Sequence, residues 1–323
     1  MTLLAVLGIL LAAFLGAPLF SIFGAAALVS FSSVGIDSQA IIIEMSRLVS
    51  APVLVAIPLF TFAGYMMAES KAPERMVRVA QAWIGWMPGG LALVTLGSCA
   101  FFTAFTGASG VTIIALGGLL YPILLKRGFS EKFSLGLVTT CGSLGLLFPP
   151  SLPLILYGLV AKVDVDQLFL AGVLPGVLLI LLLGGYCLYQ GGKTVEKTAF
   201  SWRELAGSLR EAVWEAPLPP LILIGIYGGY MTVAEAAAVA AFYVFVVEVF
   251  IYRDLSLKKD VPRIMQESML LVGGILIILA VALGFTNFLI DEQVPMKIFD
   301  WIRQFISSRI TFPDIPALIA KTM

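Results

Sequence analysis

The sequence predicts an all-α integral membrane protein, a multi-helix bundle with a re-entrant helical hairpin and a discontinuous helix. Three observations carry that expectation. Sixty per cent of the residues are hydrophobic and only 12% are charged. Apolar runs of membrane-spanning length recur along the chain. Two of them are interrupted by glycine, proline and hydroxyl residues.

A soluble domain carries roughly 45–50% apolar and about 25% charged residues. With a mean hydropathy of +1.02, this chain holds more apolar surface than a soluble fold of 323 residues can bury. The formal net charge is zero, so nothing points to nucleic acid. The absence of histidine removes the commonest metal ligand and proton shuttle. Cys99, Cys141 and Cys187 lie in apolar runs without CxxC spacing and read as packing residues. No cofactor is expected. A membrane enzyme fits poorly, since no intramembrane carboxylates cluster and no nucleophile has a base nearby.

A membrane helix needs about 20 apolar residues. The run 3–31 has no basic flank, is longer than a signal core and reads as a first membrane helix. Further runs cover 50–68, 133–161, 167–190, 217–231, 233–252 and 268–290. The stretch 84–125 is broken by several glycines and reads either as two short spans or as a hairpin that enters and leaves on one side. Basic residues concentrate in the loops holding Lys71, Arg75 and Arg78; Lys126, Arg127 and Lys132; Lys193, Lys197, Arg203 and Arg210; and Arg253, Lys258, Lys259 and Arg263. The opposite loops hold only Arg47 and Lys162, so the first set and the N-terminus are expected on the cytoplasmic side. Lys297 and Arg303 would then lie outside, against the trend. Residues 191–216 divide the chain, and read as a cytoplasmic amphipathic connector or a plain surface loop.

Four segments could carry chemistry. In Phe101–Thr112, hydroxyls and glycines interrupt apolar sequence. Non-helical backbone survives at membrane depth only where protein or a water-filled cavity satisfies it. Such a break presents carbonyls and helix ends to a sodium ion or an anion; small-residue helix packing is the alternative. In Gly142–Ser151, Pro149 and Pro150 remove two backbone donors in mid-span, which predicts a discontinuous helix with free carbonyls, or else a simple kink. Thr232 and Glu235 have capping-box spacing. Glu248 lies within an apolar run, as a functional intramembrane charge or a helix-end partner of Arg253. Asn287, beside Thr286, either binds an ion or joins two helices.

The order of several motifs resembles the large membrane subunit of the TRAP (tripartite ATP-independent periplasmic) transporters. These are Ile57-Pro58-Leu59-Phe60 with Ala63-Gly64; Phe101-Phe102, Thr106-Gly107-Ala108-Ser109, Gly117 and Pro122; Gly142 to Ser151 with Tyr157-Gly158; Leu168 to Gly172 with Pro175-Gly176; and Thr232 to Ala238. The resemblance runs to about Ser307. It implies a bacterial inner-membrane, sodium-coupled importer of C4-dicarboxylates or similar organic acids. It also implies a periplasmic solute-binding protein and a small membrane subunit as partners, and an elevator-type movement.

The family's inverted repeats each supply a hairpin and a broken helix. Residues 1–190 correspond to the first repeat, with its hairpin at about 84–125 and its broken helix at about 133–161. Residues 217–308 correspond to an incomplete second repeat. By resemblance, Thr106, Gly107, Ser109, Thr112, Ser143, Gly145, Pro149, Pro150 and Ser151 line the sodium and substrate region, with Thr106, Ser109 and Gly145 on the ion. Thr286 and Asn287 would approach from the second repeat. The chain departs from the family in Ala108-Ser109, where two serines are common, and in Val233-Ala234, where Pro and Thr are common. After Ser308 the family continues with a second hairpin and a second double-proline segment, whereas residues 309–323 read as a non-family tail. A truncated or frame-disrupted member, or a fragment whose missing part is encoded elsewhere, is expected, as a transporter or as a scaffold that only packs with partners.

Overall fold

The computed structural model describes residues 2–35, 39–87, 89–191 and 200–305. Lys193, Glu196, Lys197 and the tail 309–323 lie outside them. Among the described residues every regular element is helical. The α-helices are α1 (Thr2–Phe14), α2 (Leu19–Val34), α3 (Gln39–Val49), α4 (Ala56–Glu69), α5 (Ala72–Ile84), α6 (Gly90–Thr106), α7 (Ser109–Lys126) and α8 (Glu131–Leu144). They continue with α9 (Leu152–Ala161), α10 (Val165–Gly191), α11 (Trp202–Glu211), α12 (Leu218–Tyr227), α13 (Val233–Val246), α14 (Asp260–Asp291) and α15 (Val294–Phe305).

Among the described residues, five stretches are long and apolar enough to cross a membrane: Pro52–Glu69, Ser109–Lys126, Val165–Gly191, Val233–Ile251 and Asp260–Asp291. A sixth is added if Glu131–Leu147 and Leu152–Ala161, bent by 43°, count as one. The chain divides into two compact units, residues 1–48 with 275–323, and residues 49–274.

In the first unit, the run 3–31 is two helices rather than one. Gly16 takes a left-handed φ of 84°, and Pro18, extended at ψ 140°, restarts the chain as α2. Average hydropathy hides this break, because neither residue is polar. Ala27 and Phe31 form a small core with Met45, Phe285 and Phe288, and the rings of Phe31 and Phe288 meet edge-on at 5.6 Å.

In the second unit, α6 is the innermost helix. It packs against α4, α5, α7, α8 and α10, and nearly all its side chains are buried, including Thr95, Ser98 and Thr103. Thr95 and Thr103 donate to the carbonyls four residues back, Leu91 O and Cys99 O, at 2.9 and 2.8 Å. Small residues also set the α4–α13 contact, where Ala236, Ala237 and Ala240 are fully buried. Lipid gives helices no hydrophobic reason to associate, so close backbone approach and dispersion must hold them. The three cysteines are free and fully buried, in keeping with a packing role.

Two further expectations change. The run 217–231 yields only α12, ten residues long, which stops at Gly228-Gly229. At about 1.5 Å per residue it covers about half a bilayer core. Arg75 and Arg78 lie on the amphipathic helix α5 rather than in a loop, and Arg75 is buried. Residues 202–211 of the connector form α11, started by the Ser201 hydroxyl, which accepts from Glu204 N at 3.4 Å. The Thr232–Glu235 capping box is present: Glu235 N donates to Thr232 Oγ1 at 3.3 Å and Thr232 N to Glu235 Oε2 at 2.8 Å.

Gly64 of α4 touches the far end of α6, where an added Cβ would collide with Thr106 Cα and lie 2.5 Å from Phe105 O. Both obstacles are backbone and cannot swing away. Gly64→Ala is therefore expected to cost about 1–3 kcal/mol, as overpacking does, read as a lower thermal unfolding midpoint in detergent. Gly97→Ala, where an added Cβ meets nothing within 4 Å, should leave that midpoint unchanged.

Candidate functional site

The helices α6 and α7 form a hairpin joined by Gly107 and Ala108 alone. Gly107 has a φ of 62°, a conformation costly for any residue with a side chain, and its N–H caps α6 by donating to Thr103 O at 2.9 Å. Ala108 is extended, and α7 then begins at Ser109 without a side-chain cap. Across the turn, Thr106 Oγ1 and Thr112 Oγ1 are hydrogen-bonded at 3.0 Å, both residues being 1% exposed. Thr106 Oγ1 has one further, long contact, to Ala108 O at 3.4 Å.

The second break follows from two missing donors. In a continuous helix, Gly145 O and Leu146 O would accept from the N–H groups of residues 149 and 150, both prolines. The chain tightens into a 3₁₀ turn over Gly145–Leu147, then runs extended through Phe148 to Ser151 before α9 starts. Both orphaned carbonyls find local donors. Phe148 N donates to Gly145 O at 3.0 Å and Ser151 Oγ to Leu146 O at 2.5 Å. The expectation of free carbonyls is thus corrected for these two oxygens: each keeps only its second lone pair. Ser151 is fully buried and leaves the start of α9 without a side-chain cap.

The two interruptions lie together. A Cβ on Gly107 would sit 2.5 Å from Leu152 Cβ, so the hairpin tip rests on the first residue of α9. A Cβ on Gly142 would lie 2.5 Å from Ile113 Cγ1 and 3.3 Å from Ser109 O. A Cβ on Gly145 would strike Ala100 O and come within 2.5 Å of Thr103 Cβ, so the 3₁₀ turn is pressed against α6. The uncapped N-termini of α7 and α9 therefore start at one place, next to the C-terminus of α6. Helix N-termini present N–H groups and a partial positive charge, and C-termini present carbonyls and a partial negative one. Residues 89–125 and 133–161 contain no Asp, Glu, Lys or Arg, so dipoles and hydroxyls dominate the local field.

Of the residues singled out, Thr106, Gly107, Ser109, Thr112, Gly145, Pro149, Pro150 and Ser151 belong to these two adjoining breaks. Ser143 is exposed on the surface of α8. Thr286, exposed, and Asn287, half-buried, lie on α14 within the first unit.

The sequence matches the family described as "Tripartite ATP-independent periplasmic transporter, DctM component" over residues 4–317, past Ser307 where the motifs cease. The chain belongs to the TRAP large-permease family. It is 36% identical over 253 residues to the C4-dicarboxylate TRAP transporter large permease protein DctM of Pseudomonas aeruginosa, covering 78% of this chain and 59% of that protein. Over 247 residues it is 34% identical to the ectoine/5-hydroxyectoine TRAP permease UehC of Ruegeria pomeroyi, covering 76% and 58%. Over 290 residues it is 35% identical to the isethionate TRAP permease DctMQ of Oleidesulfovibrio alaskensis, covering 88% and 45%. The chain thus spans less than two thirds of the length of these relatives. It is a multi-pass membrane protein of a transport family, not an enzyme, and TRAP systems in general pair such a permease with a small permease and a periplasmic binding protein.

The chain carries a second polar constellation that sequence reasoning largely missed. Arg75 of α5 donates from Nε to Glu215 at 2.7 Å, from Nη1 to Asp254 at 2.6 Å and from Nη2 to Glu248 at 3.2 Å. Its guanidinium lies 3.9 Å above the Tyr252 ring. Burial opposes the Arg75 charge, but its bonds to Glu215 and Asp254 outweigh burial and raise its pKa above the ordinary arginine value. Glu248 sits in a π turn over Val247–Ile251 that closes α13. Its partner is Arg75 rather than Arg253, because Arg253 takes a left-handed φ of 59° and donates to Phe250 O. Two signals for it were in the sequence: Glu248 within an apolar run, and Arg75 three residues after the buried Ala72, on the same side of α5.

Thr112→Val should strand Thr106 Oγ1 with its 3.4 Å contact alone and cost about 1–3 kcal/mol. The double variant Thr106→Val with Thr112→Val removes both polar groups, and its loss should be smaller than the sum of the two single losses. A double-mutant cycle of unfolding midpoints reads this coupling.

Proposed function

We propose that this chain is the large membrane subunit of a sodium-coupled, binding-protein-dependent secondary transporter that imports a small organic acid, a C4-dicarboxylate or a similar carboxylate. The observation that carries the reading is the meeting of two uncapped helix N-termini, those of α7 and α9, beside the carbonyl end of α6 in a stretch without charged side chains. Such an arrangement suits a carboxylate and a small hard cation side by side. The anion takes N–H groups and the positive helix ends. The cation takes hydroxyl and carbonyl oxygens from Thr106, Ser109 and the remaining lone pair of Gly145 O. Each ion neutralises part of the other's charge, so binding of one favours the other. That linkage is what coupled uptake requires.

The names of the relatives support solute import and leave its chemistry broad, since they specify C4-dicarboxylate, ectoine and isethionate. In this reading a periplasmic binding protein delivers the solute. A small membrane subunit braces the permease in the bacterial inner membrane, with the N-terminus inside. Residues 1–190 and 217–308 act as a repeat and a partial inverted repeat, and the hairpin with the broken helix moves as an elevator against the remaining helices.

Sodium binding is tested on the purified chain by its melting midpoint in sodium chloride against choline chloride. Sodium should raise the midpoint, and Ser109→Ala should weaken the effect about tenfold in sodium concentration, a loss of roughly 1.4 kcal/mol. In vesicles that also hold a small membrane subunit and a binding protein, succinate uptake should follow the sodium gradient. Equal midpoints in both salts, together with uptake indifferent to sodium, would refute the proposal.

A further inference from the structure

The Arg75 cluster contains an imbalance that its own residues do not resolve. One guanidinium faces three carboxylates, and the side chains of Glu215, Glu248 and Asp254 are 2%, 1% and 9% exposed. Arg75 Nη2 contacts both Glu215 and Glu248, so these two carboxyls converge on one nitrogen. Glu215 Oε2 is buried and has no hydrogen-bond partner among the described residues.

The neighbouring donors do not reach Glu215 Oε2. The Tyr243 hydroxyl donates to Trp214 O at 2.6 Å and the Tyr252 hydroxyl to Glu211 O at 2.6 Å. Lys71 N donates to Asp254 at 3.2 Å, and the Ser70 hydroxyl, beside Glu248, donates to Met67 O at 2.9 Å. On α11, Glu211 is taken up by Arg78 at 2.9 Å. The space next to Glu215 and Glu248, walled by Met67, Leu218, Val244 and Val247, is too small for a water molecule. No group of three or more carboxylates or cysteines among the described residues is arranged to hold a metal ion.

We infer that the Glu215–Glu248 pair is a proton-binding site, in which one proton is shared between Glu215 Oε2 and the Glu248 carboxyl. A proton is the one cation that needs no volume. It supplies the donor that Glu215 Oε2 lacks and removes one of two like charges held side by side in a dry environment. Burial raises the Glu215 carboxyl from its ordinary value, against the pull of Arg75. The site joins three parts of the chain: α5, which packs on α6 of the hairpin; the segment before α12; and the π turn that ends α13. Loss of the proton leaves two carboxylates against one guanidinium nitrogen and loosens the tie of α5 to α13.

The sign of the pH dependence follows. A carboxyl whose folded-state pKa is raised binds more protons folded than unfolded, so its contribution is complete below the ordinary carboxylate range, about 4.3 for Glu, and is lost as pH rises through the folded-state value. The experiment is infrared spectroscopy of the purified chain in detergent across pH, with the melting midpoint in parallel. A protonated-carboxyl C=O stretch should be present at neutral pH, vanish at alkaline pH as the midpoint falls, and be absent from Glu215→Gln and Glu248→Gln but retained in Asp254→Asn. Absence of that band from the native chain at neutral pH, or its survival in both glutamine variants, overturns the inference. If the variants do not fold, the native chain's band and its titration decide alone.

Discussion

The structure of residues 49–274 depends on one constraint: peptide groups released from a helix inside apolar surroundings must be satisfied close by. The double proline at 149–150 creates two such groups, Gly145 O and Leu146 O. The chain answers first with a 3₁₀ bond and the Ser151 hydroxyl, and then by burying the break against α6. The hairpin tip has the same difficulty and the same remedy, with Thr106 and Thr112 closing the turn upon themselves. Each interruption serves as the cover of the other. This is why α6 is the helix the others enclose, although α7 and α10 are equally apolar.

Close cover requires small residues. Gly64, Gly142 and Gly145 let backbones meet where a methyl group would already collide. The alanines of α13 do the same for its contact with α4. The unit 49–274 thus assembles its interior with hydroxyls, glycines and alanines, and places its charges elsewhere. The charges it does bury are gathered around Arg75 at the end of α4 and the start of α5. There the guanidinium meets three carboxylates and the Tyr252 ring. An uncharged site built from helix ends and a charged knot outside it divide the electrostatic work. The second fixes an amphipathic helix that has little apolar surface of its own.

Features that arise within a few residues were legible in the chain. The Thr232–Glu235 capping box, the interruption at Pro149-Pro150 and the turn at Gly107 are all local consequences of missing donors, hydroxyl caps or an absent Cβ. The membrane class was legible too, because hydropathy sums over the whole chain. Averages misled where a break was apolar: Gly16 and Pro18 split the run 3–31 without lowering its hydropathy, and Gly228-Gly229 cut α12 short. Glu248 stood out as a charge in an apolar run, but its nearest charge in sequence was not its partner.

The sequence by itself determined an all-helical membrane protein with two backbone interruptions, because solvent preference and donor counts belong to individual residues. Only the tertiary structure decided that the interruptions adjoin, that Glu215 and Glu248 meet over Arg75, and that the carbonyls freed by proline already hold donors. Those facts depend on contacts between residues as far apart as Arg75 and Glu248. Such contacts are set by how whole helices pack, which no short window of sequence encodes.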